Sequence, residues 1–508
     1  MPESYIERIL RARVYDVARE TPLTRADTLS RRLGNEVLLK REDLQPVFSF
    51  KLRGAYNKLI HLPPEIRRRG VIAASAGNHA QGVALGAAHL RVPATIVMPR
   101  TTPSIKVEAV RNRGAKALLH GDSYDEAYAK ARELVEEQGL TFLHPFDDPQ
   151  VIAGQGTIAM ELLRQHPYPL QAVFVPVGGG GLIAGIAAYL KYVRPDVKVI
   201  GVEPEESPTL HHALAAGKRV ELDQVGLFAD GVAVRQIGRE TFRIARQRVD
   251  EVILVNADEI CAAIKDIFDD TRGIAEPAGA LAVAGLKRYV QRSGIRDQVF
   301  VAIESGANIN FDRLRHVAER AELGERREAL LAVEIPERPG SFLRFCRVLG
   351  KRQITEFNYR YFHARKAQVF AGIELGGGDR ERAALIAKLE KKGFLVVDMT
   401  DNETAKLHIR FMVGGHAPDL KDEMLIRFEF PERPGALETF LSGLGRRWNI
   451  SLFHYRNHGA AYGRVLMGLQ VPAGERADLR DLLQQRGYRY WEETDNPAYR
   501  KFAGPDPD

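Results

Sequence analysis

The stretch of sequence that decides the fold reads Ala172-Val173-Phe174-Val175-Pro176-Val177-Gly178-Gly179-Gly180-Gly181-Leu182. Its continuous apolar run predicts a parallel strand that is buried on both faces. The four glycines that follow let the backbone close on a phosphate at the N-terminus of a helix. The same residues also fit a dinucleotide fingerprint, Gly179-x-Gly181-x-x-Ala184, and Glu203 ends the next strand 24 residues after Gly179. A nicotinamide-dependent oxidoreductase that uses the Gly178–Gly181 loop therefore stays open as an alternative.

Short apolar runs alternate with helical patterns on both sides of this stretch, from about residue 37 to residue 310. Ser123 and Glu126 form a capping box that starts one of the helices, and Gly139 ends it. This alternation predicts an α/β domain with a parallel sheet. The predicted strands are Val37–Lys40, Gly70–Ala74, Ala94–Met98, Lys116–His120, Ala172–Val177, Lys198–Glu203, Glu251–Val255 and Gln298–Ile303.

One lysine near the start of this domain stands in unusual surroundings. Phe48 and Phe50 precede Lys51, and Ser49 can cap the helix that follows. A lysine side chain ordinarily has a pKa of about 10.4 and stays charged. Desolvation by the aromatic rings disfavours the ammonium form and frees the amine for Schiff-base formation. Spacing alone leaves both a solvated lysine and a reactive amine open for Lys51.

Two further loops follow predicted strands and carry polar side chains. The loop Ser75-Ala76-Gly77-Asn78-His79 comes directly after Ala74, and its N–H groups together with the Asn78 amide can hold a carboxylate. For His79 alone, a hydrogen-bonded structural histidine is favoured over a catalytic base. Ser305 follows the strand that ends at Ile303. Open parallel sheets bind their ligands at the carboxyl ends of the strands, where both loops are expected.

The C-terminal part of the chain contains an internal repeat, which begins after a charged connector helix predicted over Phe311–Glu328. The run Ile335-Pro336-Glu337-Arg338-Pro339-Gly340 recurs 95 residues later as Phe430-Pro431-Glu432-Arg433-Pro434-Gly435. Each copy reads as a ferredoxin-like βαββαβ unit, with elements near 330–336, 339–350, 353–362, 367–375, 379–393 and 394–400 in the first copy. Because the whole loop is duplicated, we favour a ligand site at each Pro-Gly turn over a simple helix start.

Composition excludes several classes of protein. The 508 residues suffice for roughly three domains, and 73 Lys and Arg against 66 Asp and Glu give a net charge of +7. The longest basic run is Arg67-Arg68-Arg69, so we expect no nucleic-acid partner. We find no apolar run of membrane-spanning length and no secretory signal, which predicts a cytoplasmic protein without a membrane partner. Cys261 and Cys346 are expected to be buried thiols in a reducing compartment.

The four motifs around Lys51, Asn78, the glycine run and Ser305 occur in the order that is found in fold-type II pyridoxal-phosphate enzymes. The chain resembles the threonine/serine dehydratases, and with its duplicated module it is similar to the biosynthetic threonine deaminases over essentially its whole length. The resemblance implies a tryptophan synthase β-like catalytic domain at 1–325, with parallel sheets and flanking helices. Two ACT-like regulatory domains would follow at 326–402 and 423–496.

The resemblance also implies pyridoxal 5′-phosphate as cofactor, with a role for each motif. Lys51 would bond covalently to the cofactor and act as the base at the substrate Cα, and Asn78 would hydrogen-bond the cofactor's 3′-oxygen. Phe50 would pack against the ring, and Ser305 would meet the pyridine nitrogen. The phosphate would be bound by Gly178, Gly179, Gly180, Gly181 and Leu182, and the substrate carboxylate by the loop that contains Ser75, Gly77 and His79.

Relatives of this kind can bind a cation near the cofactor. Glu203 is the one residue that we would assign to it, with an ordinary strand-end carboxylate as the alternative. The sequence offers no other metal ligand.

By resemblance, the reaction is the elimination of water from L-threonine, which gives 2-oxobutanoate and ammonia for isoleucine biosynthesis. Isoleucine would be the feedback inhibitor, valine would oppose it, and the enzyme would be a homotetramer. The matched strands of the two copies carry Tyr359, Arg360, Tyr455 and Arg456, which would serve effector binding or subunit packing. L-serine as the main substrate stays open. A non-catalytic amino-acid sensor is a further alternative, against which the joint presence of Lys51, Asn78 and Ser305 argues.

Overall fold

The computed structural model describes residues 4–336, 345, 348–350, 352, 354–360, 366–411, 422–431, 447–456, 462–485, 487 and 489–503. The chain divides into two compact units, one ending at Val317 and one beginning at Ala318. Among the described residues, no helix is long and apolar enough to cross a membrane.

The first unit is built from alternating strands and helices. Its strands are β1 (Leu23–Arg25), β2 (Glu36–Arg41), β3 (Val71–Ala74), β4 (Ala94–Met98), β5 (Lys116–Leu119), β6 (Thr141–Phe142), β7 (Ala172–Pro176), β8 (Lys198–Pro204), β9 (Glu251–Val255) and β10 (Val299–Glu304). Its helices are α1 (Tyr5–Leu10), α2 (Asp27–Leu33), α3 (Lys51–Ile60), α4 (Pro64–Arg69), α5 (Asn78–Leu90), α6 (Ser104–Arg111), α7 (Tyr124–Gln138), α8 (Pro149–Gln165), α9 (Gly181–Val193), α10 (Thr209–Ala216), α11 (Arg239–Arg248), α12 (Ala257–Thr271) and α13 (Pro277–Ser293). The helix α14 (Arg313–Gly324) runs across the boundary between the units, within the predicted connector.

All eight predicted strands are present, and they form two sheets, in agreement with the parallel sheets that the resemblance implies. The larger sheet has the order β1-β2-β10-β7-β8-β9, in which only β1 is antiparallel to its neighbour, and the smaller one has the parallel order β5-β4-β3-β6. A strand–helix alternation identifies strands but does not determine which strands pair, so it could not predict the division. The strands β1 and β6, which the sequence analysis missed, have only three and two residues.

Burial and capping explain why these segments adopt their structures. Every residue of β7 is buried, as the continuous apolar run predicts for a strand covered on both faces. The predicted capping box of α7 is confirmed, since the Ser123 side chain accepts from the Glu126 N–H and the Glu126 carboxylate accepts from the Ser123 N–H. Gly139 ends α7 with φ of +64°, a conformation that favours glycine.

The second unit contains two modules with the same topology, as the internal repeat predicts. The first comprises β11 (Glu328–Pro336), β12 (Ile354–Arg360), β13 (Lys366–Glu374), α15 (Gly378–Lys391) and β14 (Leu395–Asp398), with α16 (Glu403–Leu407) after it. The second comprises β15 (Glu423–Pro431), β16 (Asn449–Arg456), β17 (Tyr462–Gln470), α17 (Arg476–Gln485) and β18 (Arg489–Glu492), with α18 (Pro497–Phe502) after it. The antiparallel orders β12-β13-β11-β14 and β16-β17-β15-β18 are equivalent.

Some of the predictions for the repeat fall outside the described residues. Both Pro-Gly turns, at Pro339-Gly340 and Pro434-Gly435, lie there, as do most of the first helix of each copy and Cys346. Tyr359, Arg360, Tyr455 and Arg456 lie in β12 and β16 as expected, but their side chains are outside the described part. In the first unit, Cys261 is buried, as the sequence predicts.

The repeat extends beyond the two Pro-Gly runs that identified it, into the segment that follows each module. The Thr400 hydroxyl accepts from the Leu330 N–H at 3.1 Å, and the Thr494 hydroxyl accepts from the Leu425 N–H at 3.0 Å. Asn402 then caps α16, and Asn496 caps α18. The amide Nδ2 of Asn402 donates to Oδ1 of Asn496 at 3.3 Å, so the two equivalent segments meet.

Candidate functional site

The glycine run forms a cradle between β7 and α9. Gly180 precedes the helix with φ of +89°, a left-handed conformation that side chains disfavour. A Cβ atom on Gly179 would lie 2.2 Å from the ring of Phe146, and one on Gly178 would lie 2.9 Å from the Cα of Val232. Glycine is therefore required for close packing here, and the N–H groups at the start of α9 remain available to an anion such as a phosphate.

Lys51 is the first residue of α3 and lies in the wall of the cavity next to this cradle. Its Nζ atom lies 5.3 Å from the centre of the Phe50 ring. Burial lowers the pKa of Lys51 to about 8, although the negative charge of Glu276 acts in the opposite direction. Near neutral pH the neutral amine, which is the form that attacks a carbonyl, is therefore a minor species but far more abundant than in an ordinary lysine.

Ser49 does not cap α3, so that prediction is wrong. The helix begins at Lys51 with Phe50 in the capping position, and no side chain caps it. The Ser49 hydroxyl is buried and has no hydrogen-bond partner. Its backbone instead pairs with Gly306, and the Phe50 N–H donates to the Ser305 carbonyl at 3.2 Å. This pairing holds the turn before Lys51 against the loop that contains Ser305.

Asn78 is the first residue of α5, at the end of the loop that follows β3. Its Nδ2 donates to Oε1 of Glu276 at 2.5 Å, and its Oδ1 accepts from Nδ2 of Asn308 at 2.6 Å. These two contacts fix the orientation of the amide at the cavity wall.

Ser305 follows β10 and is buried, with its Oγ 3.4 Å from the carbonyl of Ala278 at the start of α13. The loop and this helix approach very closely. A Cβ atom on Gly279 would lie 2.1 Å from the Gly306 carbonyl. The loop that contains Ser305 is therefore packed tightly against α13, and Ser305 lines the cavity.

One cavity brings these separate parts of the chain together. Its lining includes all of the residues that the sequence analysis assigned to the cofactor: Phe50, Lys51, Asn78, Gly178, Gly179, Gly180, Gly181, Leu182 and Ser305. A cradle for one phosphate, an amine of lowered pKa and a neutral hydroxyl fit a small phosphorylated aldehyde. The residues present therefore fit pyridoxal 5′-phosphate.

The loop that was expected to bind the substrate carboxylate contributes less to this cavity. Asn78 lines it, whereas Ser75, Gly77 and His79 are not part of the lining. The His79 ring is buried, and its Nε2 lies 2.9 Å from the carbonyl oxygen of Leu143. This contact is a structural hydrogen bond of the kind that the sequence analysis favoured for His79. Burial lowers the pKa of His79 to about 3, so its ring is neutral at physiological pH.

Comparison with known proteins decides the family. Residues 14–306 match the family described as pyridoxal-phosphate dependent enzyme. Residues 319–409 and 414–503 each match the C-terminal regulatory domain of threonine dehydratase. The L-threonine dehydratase biosynthetic IlvA of Burkholderia multivorans is 59% identical over 98% of this chain and 99% of its own length. This chain belongs to the threonine dehydratase family.

Further relatives agree with this membership of the threonine dehydratase family. The Escherichia coli L-threonine dehydratase biosynthetic IlvA is 55% identical over 98% of this chain and 96% of its own length. Among solved structures, the processed form of threonine deaminase isoform 2 from Solanum lycopersicum has a TM-score of 0.62 and 51% identity, and the match covers 63% of this chain and 88% of that one. Maize serine racemase has a TM-score of 0.59 and 32% identity, over 62% and 97% of the two chains.

The nicotinamide alternative is wrong for this threonine dehydratase family member, and the position of Glu203 agrees. Both of its carboxylate oxygens face the start of α10, where they accept from the Leu210 N–H at 2.7 Å and the His211 N–H at 2.9 Å. The hydroxyl of Thr209 donates to the same carboxylate at 3.0 Å. Glu203 is thus a helix cap, which leaves it no role at a ribose and argues against the cation assignment. No cluster of three or more metal-ligating side chains occurs among the residues whose placement is described.

The sequence analysis missed four residues of the cavity wall, which are Glu276, Phe146, Gly231 and Val232. Glu276 is buried beside Asn78, and Phe146 packs against the glycine cradle. Gly231 and Val232 close another side. The one available signal was Glu276 itself, since it is a carboxylate directly before Pro277 and a stretch of small apolar residues. Such a stretch predicts a buried helix start, where a charged side chain needs an explanation.

Proposed function

We propose that this chain is a pyridoxal-phosphate-dependent threonine ammonia-lyase, which converts L-threonine to 2-oxobutanoate and ammonia. The observation that carries the proposal is that Lys51, the Gly178–Gly181 cradle and Ser305 line one cavity, in a chain that continues into a duplicated regulatory module. The relatives with more than 50% identity over almost the whole chain are named as biosynthetic threonine dehydratases, which supports the same reaction here.

Different residues of the cavity would contact different parts of the cofactor. The N–H groups of Gly178 to Leu182 bind its phosphate at the N-terminus of α9. Asn78 would donate to its 3′-oxygen, and Phe50 would pack against its ring. Ser305 would meet its pyridine nitrogen. Once bound, the cofactor supplies an electrophilic carbon and an electron-withdrawing ring that stabilises negative charge at the substrate Cα.

Lys51 has two roles in the proposal. Its amine would hold the cofactor covalently, and the same amine, once free, would take the proton from the substrate Cα. Loss of the β-hydroxyl as water follows. Hydrolysis of the eliminated product then consumes one water, which replaces the water lost in the elimination. One threonine therefore gives one 2-oxobutanoate and one ammonium ion.

The partner of the pyridine nitrogen favours elimination over transamination. A hydroxyl such as that of Ser305 does not enforce protonation of the ring nitrogen, whereas an aspartate would. Negative charge at Cα is then less delocalised, and prompt expulsion of the β-hydroxyl is favoured.

For the substrate, we assign the carboxylate to the segment of Ser75, Gly77 and His79, which leads from β3 into α5. These residues lie outside the present cavity lining, so this assignment requires the loop to approach the bound substrate. Threonine and serine differ by one methyl group, which a pocket distinguishes by only about 1–3 kcal/mol. L-serine is therefore the second substrate that we expect.

Regulation is assigned to the C-terminal unit. We propose domains at 1–325, 326–402 and 423–496, with isoleucine as inhibitor, valine as its antagonist and a homotetramer as the assembly, in the cytoplasm. The duplicated modules, each matching a threonine dehydratase regulatory domain, support an amino-acid effector. The β12 and β16 positions Tyr359, Arg360, Tyr455 and Arg456 are the candidates for effector binding or subunit packing.

The experiment that tests this function is chemical trapping of the cofactor. Purified protein should be yellow, and borohydride should fix one pyridoxyl group on Lys51, which peptide mass spectrometry would locate. Colourless protein that binds isoleucine would instead support the non-catalytic sensor. A label on another lysine would contradict the site.

A further inference from the structure

The amide of Asn78 belongs to a directional chain of hydrogen bonds. Nε2 of Gln81 donates to Oδ1 of Asn308 at 3.2 Å. The two Nδ2 hydrogens of Asn308 go to the carbonyl of Val47 at 2.8 Å and to Oδ1 of Asn78 at 2.6 Å. The chain ends where Nδ2 of Asn78 donates to Glu276 at 2.5 Å. Because an amide nitrogen carries two hydrogens, one donor of Asn78 remains for the cavity.

Ionised Glu276 can only accept hydrogen bonds, so it orients the Asn78 amide with Nδ2 toward the carboxylate and Oδ1 toward Asn308. Its Oε1 packs closely against the loop that follows β10, since a Cβ atom on Gly306 would lie 2.5 Å from it. The Glu276 N–H also donates to the Gly306 carbonyl at 3.0 Å, next to Ser305. Backbone and side chain are therefore both fixed at the cavity wall.

We propose that Glu276 is a positioning residue for the cofactor: it orients the Asn78 amide as a donor to the 3′-oxygen and supplies the negative charge that faces Lys51. This inference rests on the proposed function for the identity of the cofactor. The electrostatic part concerns only side chains of this chain, and it can be tested without cofactor.

The electrostatics of the cavity support this role. Glu276 raises the pKa of Lys51 against the effect of burial. Burial and the negative charge of Asp230 raise the pKa of Glu276 to about 7, while Lys106, Arg313 and the Asn78 hydrogen bond act in the opposite direction. Lys51, Asp230, Lys106 and Arg313 are thus the charged groups that act on this carboxylate or respond to it. Above pH 7, where Glu276 is ionised, removing its charge should lower the pKa of Lys51 further.

The test uses the full-length chain, freed of cofactor, as wild type and as Glu276→Gln, Glu276→Asp and Glu203→Gln. The first measurement is the pH midpoint for labelling of Lys51 by an amine-specific reagent, read by peptide mass spectrometry. We expect a fall of about 1 pH unit for Glu276→Gln and a smaller change for Glu276→Asp, which keeps the charge. Glu203→Gln removes another buried carboxylate, one outside the cavity, and should leave the midpoint unchanged.

The second measurement is the affinity for pyridoxal 5′-phosphate. Both Glu276 variants should bind it about tenfold more weakly, because glutamine leaves the direction of the Asn78 amide undefined and aspartate is too short to reach it. Far-UV circular dichroism checks that each variant is folded. An unchanged Lys51 midpoint in folded Glu276→Gln, or an equal shift in Glu203→Gln, would overturn the proposal. Wild-type protein that binds no cofactor would contradict the proposed function, whereas the labelling result would still test Glu276.

Discussion

Arg53 and Glu161 form a fully buried ion pair, with Arg53 Nη1 2.5 Å from Oε1 and Nη2 3.0 Å from Oε2. Arg53 lies two residues after Lys51 in α3, and Glu161 lies in α8. The same guanidinium also makes two bonds of 2.8 Å to Glu42, and Lys40 binds Glu161 at 2.7 Å. Two cations and two carboxylates thus balance within the core, and they fix the helix that presents Lys51 to the cavity.

Replacement of Arg53 by methionine should strongly destabilise the first unit. Methionine fills a similar space but leaves Glu42 and Glu161 buried without their partner, a change that costs about 3–5 kcal/mol. Urea unfolding, followed by a probe in the first unit, measures the loss. Arg194→Ala removes a pair with Asp196 on the surface and should cause no measurable change. Equal stability of Arg53→Met and wild type would show that this network does not hold α3.

Replacement of Gly179 by alanine should weaken binding of the cofactor. The added Cβ would lie 2.2 Å from the Phe146 ring, so the cradle must open. Overpacking of this size costs about 1–3 kcal/mol, which corresponds to a loss of roughly tenfold or more in affinity. Fluorescence titration with pyridoxal 5′-phosphate measures it. Gly474→Ala, with no atom within 4 Å of its new Cβ, is the matched control. Unchanged affinity in Gly179→Ala would argue against a phosphate site at this loop.

The reaction of cofactor-free protein with pyridoxal 5′-phosphate should depend on pH through Lys51. Only the neutral amine attacks the aldehyde, and burial lowers the pKa of Lys51 to about 8. The rate should therefore be low at pH 6, rise through pH 8 and level off above it. Stopped-flow absorbance between pH 6 and pH 10 measures the profile. A rate that still rises steeply at pH 10 would indicate an ordinary, solvated lysine.

Replacement of Phe502 by alanine should loosen the contact between the two repeated modules. Phe502 in α18 is buried, and its ring packs edge-on against Phe370 of β13 at 5.4 Å. Truncation of a buried phenylalanine typically costs about 3–5 kcal/mol. Hydrogen exchange in β13 should accelerate as the contact is lost. Exchange is the appropriate measurement, because the full chain has several units and global unfolding would not report on this contact alone. Leu395→Ala, at an exposed position, should leave that exchange unchanged. Equal protection of β13 in both variants would contradict the assigned contact.

The parts of the structure that could be predicted from sequence are those determined by local pattern. The apolar run of Ala172–Val177 and the capping box at Ser123 each specify their own element, and the structure contains both. The division into two sheets could not be predicted from local pattern, because pairing between strands depends on contacts far apart in sequence; only the resemblance to a known family implied more than one sheet. The extension of the repeat beyond each module could have been predicted from the sequence, since Thr-Asp-Asn occurs at both 400–402 and 494–496.

The candidate site shows the same division. Lys51, Asn78, the glycine run and Ser305 stand in recognisable motifs, whereas Glu276 acquires its role only from the fold. No pattern in the sequence places it beside Asn78, which is 198 residues away. Ser49 illustrates the opposite error, because a serine before a helix is a frequent cap, but the pairing of its backbone with Gly306 places the helix start one residue later.

The most direct test of the central claim is the initial rate at which purified full-length protein forms 2-oxobutanoate from L-threonine, measured with and without isoleucine. We expect one ammonium ion per 2-oxobutanoate, a rate that saturates with threonine, and inhibition by isoleucine that valine relieves. The Lys51→Ala variant should form no product above background. Protein that carries pyridoxal 5′-phosphate on Lys51 but forms no 2-oxobutanoate from threonine would contradict the proposed reaction.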